Sequence, residues 1–170
     1  FSASSVDQWP HQFVNALMFG HQFLVPIPDI DRTDYFLMLG ANPVASNGSL
    51  MTAPGVAKRL KTLTARGKLV VVDPRRTETA EIASEHLFIQ PGGDALFLVA
   101  FVQALIRIAP ARTQRYEDKL AGLDEAVAAI SRIDCSKLAE RSGIDAATVA
   151  RLAGEFHAAP SAVAYGRMGV

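Results

Sequence analysis

Val70-Val71-Val72-Asp73-Pro74-Arg75-Arg76-Thr77-Glu78-Thr79-Ala80 is the stretch from which the fold is read. A β-branched apolar run ends in a carboxylate, a proline and two arginines, then passes into helix-forming residues. A short apolar run bounded by turn residues reads as a buried strand. In an open α/β sheet the carboxyl ends of the strands are where ligands sit. An Asp there can accept hydrogen bonds from a sugar hydroxyl or a nucleobase, and adjacent Arg side chains can grip phosphate. A solvated turn between an ordinary strand and helix has the same composition, so the neighbouring segments must decide.

Upstream, Tyr35-Phe36-Leu37-Met38-Leu39-Gly40 is a second apolar run, leading into Gly40-Ala41-Asn42-Pro43-Val44-Ala45-Ser46-Asn47-Gly48-Ser49. Downstream, His86-Leu87-Phe88-Ile89 is a third, ending in Gln90-Pro91-Gly92-Gly93-Asp94. Each strand candidate is followed by small, polar or Gly/Pro residues, which let backbone N–H groups approach a ligand closely. Three such loops are expected to converge on one edge of a parallel sheet.

The 170 residues suffice for a sizeable core, and 49% of them are hydrophobic, which argues for a folded globular unit. Seventeen basic residues balance seventeen acidic ones, so charge gives no argument for a nucleic-acid partner or an anionic membrane surface. Cys135 is the single cysteine; it excludes an internal disulfide and any all-cysteine metal or iron–sulfur site in this segment. Direct membrane insertion is not expected: the best apolar stretch, 95–106, is interrupted by Gln103 and falls short of roughly 20 residues. The opening Phe1-Ser2-Ala3 and the closing Gly166-Arg167-Met168-Gly169-Val170 suggest an internal piece of a larger protein.

Residues 1–34 read as a leading segment, with a helix over Gln8 to Phe19 and an extended stretch over Phe23 to Ile30. Residues 35–110 read as a Rossmann-like core. Strand 35–40 is followed by the Asn-Pro loop and by a helix over 53–66, with Pro54 in its first turn and Gly67 as its stop. Val56, Leu60 and Leu63 form its apolar stripe, and Lys58, Arg59 and Lys61 its solvated face. Strand 69–73 completes a βαβ unit. A short helix over 78–85, strand 86–89 and a long apolar helix over 94–108 capped by Asp94 follow. Residues 111–160 read as a helical segment, with one helix starting at Gly122-Leu123-Asp124 and another capped by Asp145 and running to about His157. Residues 161–170 start a further strand. The fold class is therefore α/β: a Rossmann-like, mostly parallel sheet flanked by helices, with a helical C-terminal portion, all in one domain.

The dinucleotide fingerprint G-x-G-x-x-G and the P-loop G-x-x-x-x-G-K-[ST] are both absent, which argues against NAD(P) or ATP bound in the usual way. His11, His21, His86 and His157 lack ligand-like pairing, and Cys135 reads as a small half-buried residue. No Ser/His/Asp set or carboxylate pair stands out. The residues alone thus lead to a Rossmann-like domain holding a ligand with phosphate and sugar.

Taken in order, Asp31-Arg32-Thr33-Asp34, Gly40-Ala41-Asn42-Pro43 with Ser46, Val72 to Ala80, and Ile89-Gln90-Pro91-Gly92-Gly93-Asp94-Ala95 resemble the molybdopterin oxidoreductases. This superfamily includes formate dehydrogenases, nitrate reductases and dimethyl sulfoxide reductase. Tyr165-Gly166-Arg167-Met168-Gly169-Val170 fits its bacterial branch. The resemblance implies a domain that binds one of two molybdopterin guanine dinucleotides of a bis-molybdopterin guanine dinucleotide cofactor carrying Mo or W. By position, Gly40, Ala41, Asn42, Pro43 and Ser46 would approach the pyrophosphate and pterin. Asp73, Pro74, Arg75 and Arg76 would hold the guanosine end, and Gly92, Gly93 and Asp94 would close over the nucleotide. The loop at Val44–Ser46 departs from many relatives, being apolar until Ser46.

The family's metal-ligating residue and its iron–sulfur cysteines have no counterpart here, so no catalytic residue is assigned. The implied partners are the rest of the parent chain and an electron-transfer subunit or redox protein. The parent is expected to be formate dehydrogenase-like or nitrate reductase-like, in the cytoplasm rather than the periplasm. A non-catalytic scaffold or electron-transfer subunit with the same domain, and a generic NAD- or nucleotide-binding Rossmann domain, are the alternatives. Cys135→Ser is expected to leave the parent's turnover near wild type; a large loss in a steady-state assay would give that thiol a role.

Overall fold

The structure is a computed structural model and describes residues 4, 7–48, 51–110, 116, 119–167 and 170. Ser49, Met168, Gly169 and the opening Phe1-Ser2-Ala3, named above, lie outside the described residues. Two compact units are present: residues 1–88 with 160–170, and residues 89–159. The first carries the sheet and the second is helical.

In the first unit, α1 (Gln8–Phe19) precedes β1 (Tyr35–Leu39), α2 (Pro43–Ser46), α3 (Val56–Arg66), β2 (Lys68–Val72), α4 (Glu78–Ile82) and β3 (Glu85–Leu87). The chain returns to this unit as β4 (Ala162–Gly166). The strands lie in the order β3-β2-β1-β4, and every neighbouring pair is parallel. Tyr35 pairs with Lys68 on one side and Ala162 on the other, so the two inner ladders start level.

Parallel strands buried on both faces are apolar along their whole length, and Tyr-Phe-Leu-Met-Leu in β1 is buried at every residue. Phe36, Met38, Leu69 and Val71 pack with Val56, Leu60 and Leu63 of α3. Leu60 and Leu63 are fully buried; each such side chain contributes about 1.5–3 kcal/mol by leaving water. Tyr35, Leu37, Leu39, Val70 and Val72 point the opposite way and are buried as well.

Charged groups at the amino ends of the strands complete the frame. Arg66 Nη2 donates to the carbonyls of Ile30, Asp31 and Thr33, at 2.9, 2.6 and 3.1 Å. Arg59, expected on a purely solvated face, instead makes a two-point ion pair with Asp31, at 3.0 and 2.6 Å. Lys68 of β2 pairs with Glu85 of β3 at 2.8 Å, which anchors the short edge strand.

Several boundaries differ from the sequence reading. Helix α3 starts at Val56, after Gly55 in the left-handed region, so Pro54 belongs to the turn ahead of the helix. The Asn-Pro loop contains the helical turn α2, with Pro43 at its first position. Helix α1 has its expected limits, yet Trp9, Phe13 and Leu17, spaced along one face, are each more than half exposed.

The second unit contains α5 (Asp94–Ile108), α6 (Leu123–Ser131), α7 (Cys135–Ser142) and α8 (Ala146–Ala158). Phe97 stacks on Phe101, and Phe101 meets Phe156 of α8 edge-on at 5.5 Å between centroids. Helix α6 has no buried residue; its end is held by the buried Gln103, whose Nε2 donates to the carbonyls of Ile130 and Ile133. Asp145 caps α8 as expected, accepting from the Thr148 backbone N–H at 2.9 Å. Asp94 is not a cap: Gly93 occupies that position and Asp94 starts the helix, where its charge favours the positive end of the dipole.

Gly67 separates α3 from β2, and a Cβ there would run into the Asp34 backbone carbonyl. Since backbone at the head of β1 cannot give way cheaply, Gly67→Ala should destabilise the first unit by ~1–3 kcal/mol. A thermal unfolding midpoint equal to wild type would contradict this packing.

Candidate cofactor-binding edge of the sheet

The ladders continue past the strand ends and fix where each loop begins. Gly40 N–H donates to the Val72 carbonyl at 2.9 Å, Asp73 N–H to Leu87 at 3.1 Å, and Arg167 N–H to Leu39 at 3.1 Å. The loops after β1, β2 and β4 therefore leave one edge. The strand order reverses beside β1, between connections to β2 and to β4, which is a topological switch point. Gly40 has φ +56, and a Cβ on it would lie 2.5 Å from Val170 Cγ2. Glycine is required there both for backbone shape and for space.

Asp73 is buried, 9% exposed. Its Oδ1 accepts from the Arg75 N–H at 2.8 Å, an Asx-turn that bends the chain as it leaves the strand. Its carbonyl accepts from His86 Nε2 at 3.0 Å; a carbonyl only accepts, so that ring nitrogen carries the hydrogen. Pro74, Arg75 and Arg76 are exposed. Neither Arg side chain has a hydrogen-bond or ion-pair partner among the described residues; Arg75 feels the charge of Glu78 nearby.

Asn42, expected at the pyrophosphate, uses its side chain within the protein. Its Nδ2 donates to Glu78 Oε2 at 2.7 Å, and its Oδ1 accepts from the Thr79 hydroxyl at 2.8 Å and the Thr79 N–H at 3.3 Å. A carboxylate on one side and donors on the other fix the amide orientation. The Thr79 hydroxyl in turn accepts from Val44 N–H at 3.2 Å. Ser46 Oγ donates to the Asn42 carbonyl at 3.1 Å. Pro43 and Ala41 are buried.

These bonds also occupy the first turn of α4. The Thr79 N–H is taken by Asn42, the Ala80 N–H by the Thr77 hydroxyl, and the Glu81 N–H by the Thr77 carbonyl. Thr77, Glu78 and Thr79 were quoted in the sequence but not singled out as site residues. Their partner Asn42 lies 36 and 37 residues away from Glu78 and Thr79, and a pairing at that range leaves no local signal.

Gly92, Gly93 and Asp94 belong to the second unit and form the turn into α5. Gly93 is buried, and a Cβ on it would come within 2.8 Å of the Gln90 carbonyl and 3.0 Å of Ser142 Cα. Gln90 N–H donates to the Ser142 carbonyl at 2.7 Å, fastening this turn to the end of α7. Cys135 is buried at the start of α7, and burial pushes its thiol above the ordinary cysteine value. This is the environment of an unreactive packing residue. Among the described residues no cluster of His, Cys, Asp and Glu could hold a metal ion, and no helix is long and apolar enough to cross a membrane.

The Glu78 carboxyl is held below its ordinary value, first by its own backbone N–H, then by the Asn42 amide, with the Arg75 charge adding to both. A lowered folded value gives a stabilising contribution that is present above the unfolded value, roughly pH 4.3, and lost as pH falls through the folded one. Glu78→Gln should therefore flatten the fall in thermal midpoint between about pH 5 and about pH 3. Melting curves with an unchanged acid profile would refute the role of that carboxylate.

Comparison with known proteins agrees with this architecture. Over 142 residues the chain is 30% identical to an assimilatory nitrate reductase of Haloferax mediterranei, covering 84% of this chain and 19% of that protein. It is 28% identical over 136 residues to the F420-dependent formate dehydrogenase 2 subunit alpha of Methanococcus maripaludis, covering 80% and 19%. The chain thus spans about a fifth of the length of these relatives. Acetylene hydratase from Pelobacter acetylenicus superposes with a TM-score of 0.76 over 96% of this chain and 22% of that one, at 23% identity, a likeness of fold. Residues 2–155 match the family described as molybdopterin oxidoreductase. With a parallel sheet whose strand-end loops carry the family's sequence pattern, the chain belongs to the molybdopterin oxidoreductases.

Proposed function

We propose that this chain is the domain of a molybdenum or tungsten oxidoreductase that holds one molybdopterin guanine dinucleotide of a bis-molybdopterin guanine dinucleotide cofactor. The parent protein is nitrate reductase-like or formate dehydrogenase-like, as are two of the relatives that the chain matches. The observation that carries this reading is the pair of exposed arginines, Arg75 and Arg76, whose side chains have no hydrogen-bond partner among the described residues, set near the buried carboxylate of Asp73 at the sheet edge.

The donor set fits such a group. The first-turn amides of α4 are already paired with Asn42 and Thr77, so an anion at this edge depends on the arginines rather than on that helix end. Guanidinium forks match phosphate oxygens in charge and shape. Asp73 Oδ1 orients the Arg75 backbone, leaving Oδ2 to accept from a ribose hydroxyl or the guanine edge. Gly40 and Ala41 carry the backbone of β1 to the switch point, with Val170 packed against Gly40, and Pro43 and Ser46 follow on the same loop. Gly92, Gly93 and Asp94 lie in the second unit, and their part in this reading is the one that the family resemblance implies. When bound, the group supplies the electron exchange at its metal; the residues of this chain bind and orient it. The iron–sulfur centre and the electron-accepting subunit of the parent belong to the same proposal.

Asp73→Ala in the full-length protein, produced in a host that makes the cofactor, should lower metal and guanine-bearing pterin per chain several-fold. Asp73→Asn keeps a turn-forming oxygen and should retain an intermediate amount. Wild-type loading of Asp73→Ala, measured by elemental analysis and release of the pterin nucleotide, would overturn the assignment.

A further inference from the structure

The geometry points to Thr79 and Glu78 as positioning residues that set how long the nucleotide is held, by clasping the loop after β1 to the loop after β2 through Asn42. This inference rests on the cofactor-binding reading above, and neither residue need touch the cofactor.

Thr79 is fully buried and its hydroxyl is used twice, donating to Asn42 Oδ1 at 2.8 Å and accepting from Val44 N–H at 3.2 Å. A hydroxyl is the smallest side-chain group that can do both at one atom. Glu78 grips the other end of the Asn42 amide at 2.7 Å from the exposed side. Asn42 is thereby gripped from both sides of its amide, while its backbone carbonyl holds Ser46. The ladder of β1 ends with Gly40, and beyond it the loop is seated by the burial of Ala41 and Pro43, while the Asn42 side chain supplies its hydrogen bonds to α4.

The consequence concerns the arginines. Arg75 and Arg76 lie three and two residues before Glu78, on the loop that Thr77 caps onto α4. If both loops keep one relative position, a ligand that touches both meets a preformed surface and loses less freedom on binding. Loosening the clasp should chiefly speed release, because related sites differ mostly in off-rate.

The test uses the full-length protein loaded with cofactor, followed during dilution and dialysis, with the unfolding midpoint of the cofactor-free protein measured alongside. Thr79→Val keeps the shape and removes the hydroxyl; it should release guanine-bearing pterin about fivefold to tenfold faster, and Thr79→Ser should restore the wild-type rate. Glu78→Gln, which changes an exposed group and so keeps the fold, should release it faster by a smaller factor. Asn42→Ala combined with Thr79→Val should be less than additive in release rate, as expected for partners in one network. Release at the wild-type rate from both Thr79→Val and Glu78→Gln overturns the clasp. Wild-type protein that carries no pterin nucleotide overturns instead the reading on which it rests.

Discussion

Parallel pairing of β1 with both β2 and β4 is the constraint on which the rest of the structure depends. A parallel ladder cannot be closed by a hairpin, so each connection must cross back over the sheet. Every carboxyl end then falls on one edge. Because β2 and β4 flank β1 on opposite sides, the connections beside β1 part from each other and leave a crevice. Burial of β1 at every position seats it in the middle of the sheet with both faces covered. The position of the loops is therefore set by the core, before any loop residue contributes.

At that edge, polar residues divide into those that hold the protein and those left available. Asn42, Thr77, Thr79 and Glu78 bond to one another and to backbone. Buried polar groups must find partners or cost stability, so Thr77 and Thr79 have little latitude. The side chains of Arg75 and Arg76 are exposed and have no hydrogen-bond partner among the described residues. They follow Asp73 after Pro74, and the Asp73 carboxylate turns the chain by accepting from the Arg75 backbone N–H. The contrast between a fully paired base and unpaired cations above it is what distinguishes this edge from an ordinary strand-to-helix junction.

Much of the fold was legible because two signals are local. Continuous apolar runs identified β1 and β2 within a residue at either end, and the Asp145 cap identified the start of α8. Misreadings occurred where a distant contact outweighs local preference. Pro54 resembles a first-turn proline, yet the left-handed Gly55 starts the helix two residues later. Arg59 resembles a solvated residue, yet Asp31 reaches it from 28 residues away. β3 is shorter than its apolar run suggested, since its pairing runs from Glu85, which is bound to Lys68, to Leu87. For the candidate site, the types Asn, Thr and Arg were visible, but the partition into clasp and free cations was not, because it depends on which loops the sheet brings together.

The glycines show the same division. Their presence near strand ends suggested close backbone approach to a ligand, but the structure gives them different reasons. Gly93 is demanded by its neighbours, since any side chain would meet Gln90 and Ser142 backbone. Gly143 also packs on Gln90: a Cβ on it would lie 3.0 Å from Gln90 Cγ. Together they describe a turn fitted against the end of α7, independent of any ligand. Gly92 has open space around it and φ +79, so it is required by backbone conformation alone. Asp94 also has a local reason, a carboxylate in the first turn of α5 at the positive end of the helix dipole. All three residues of the loop would therefore be as they are in this fold with no cofactor at all, and the case for a ligand at this edge rests on the loops after β1 and β2.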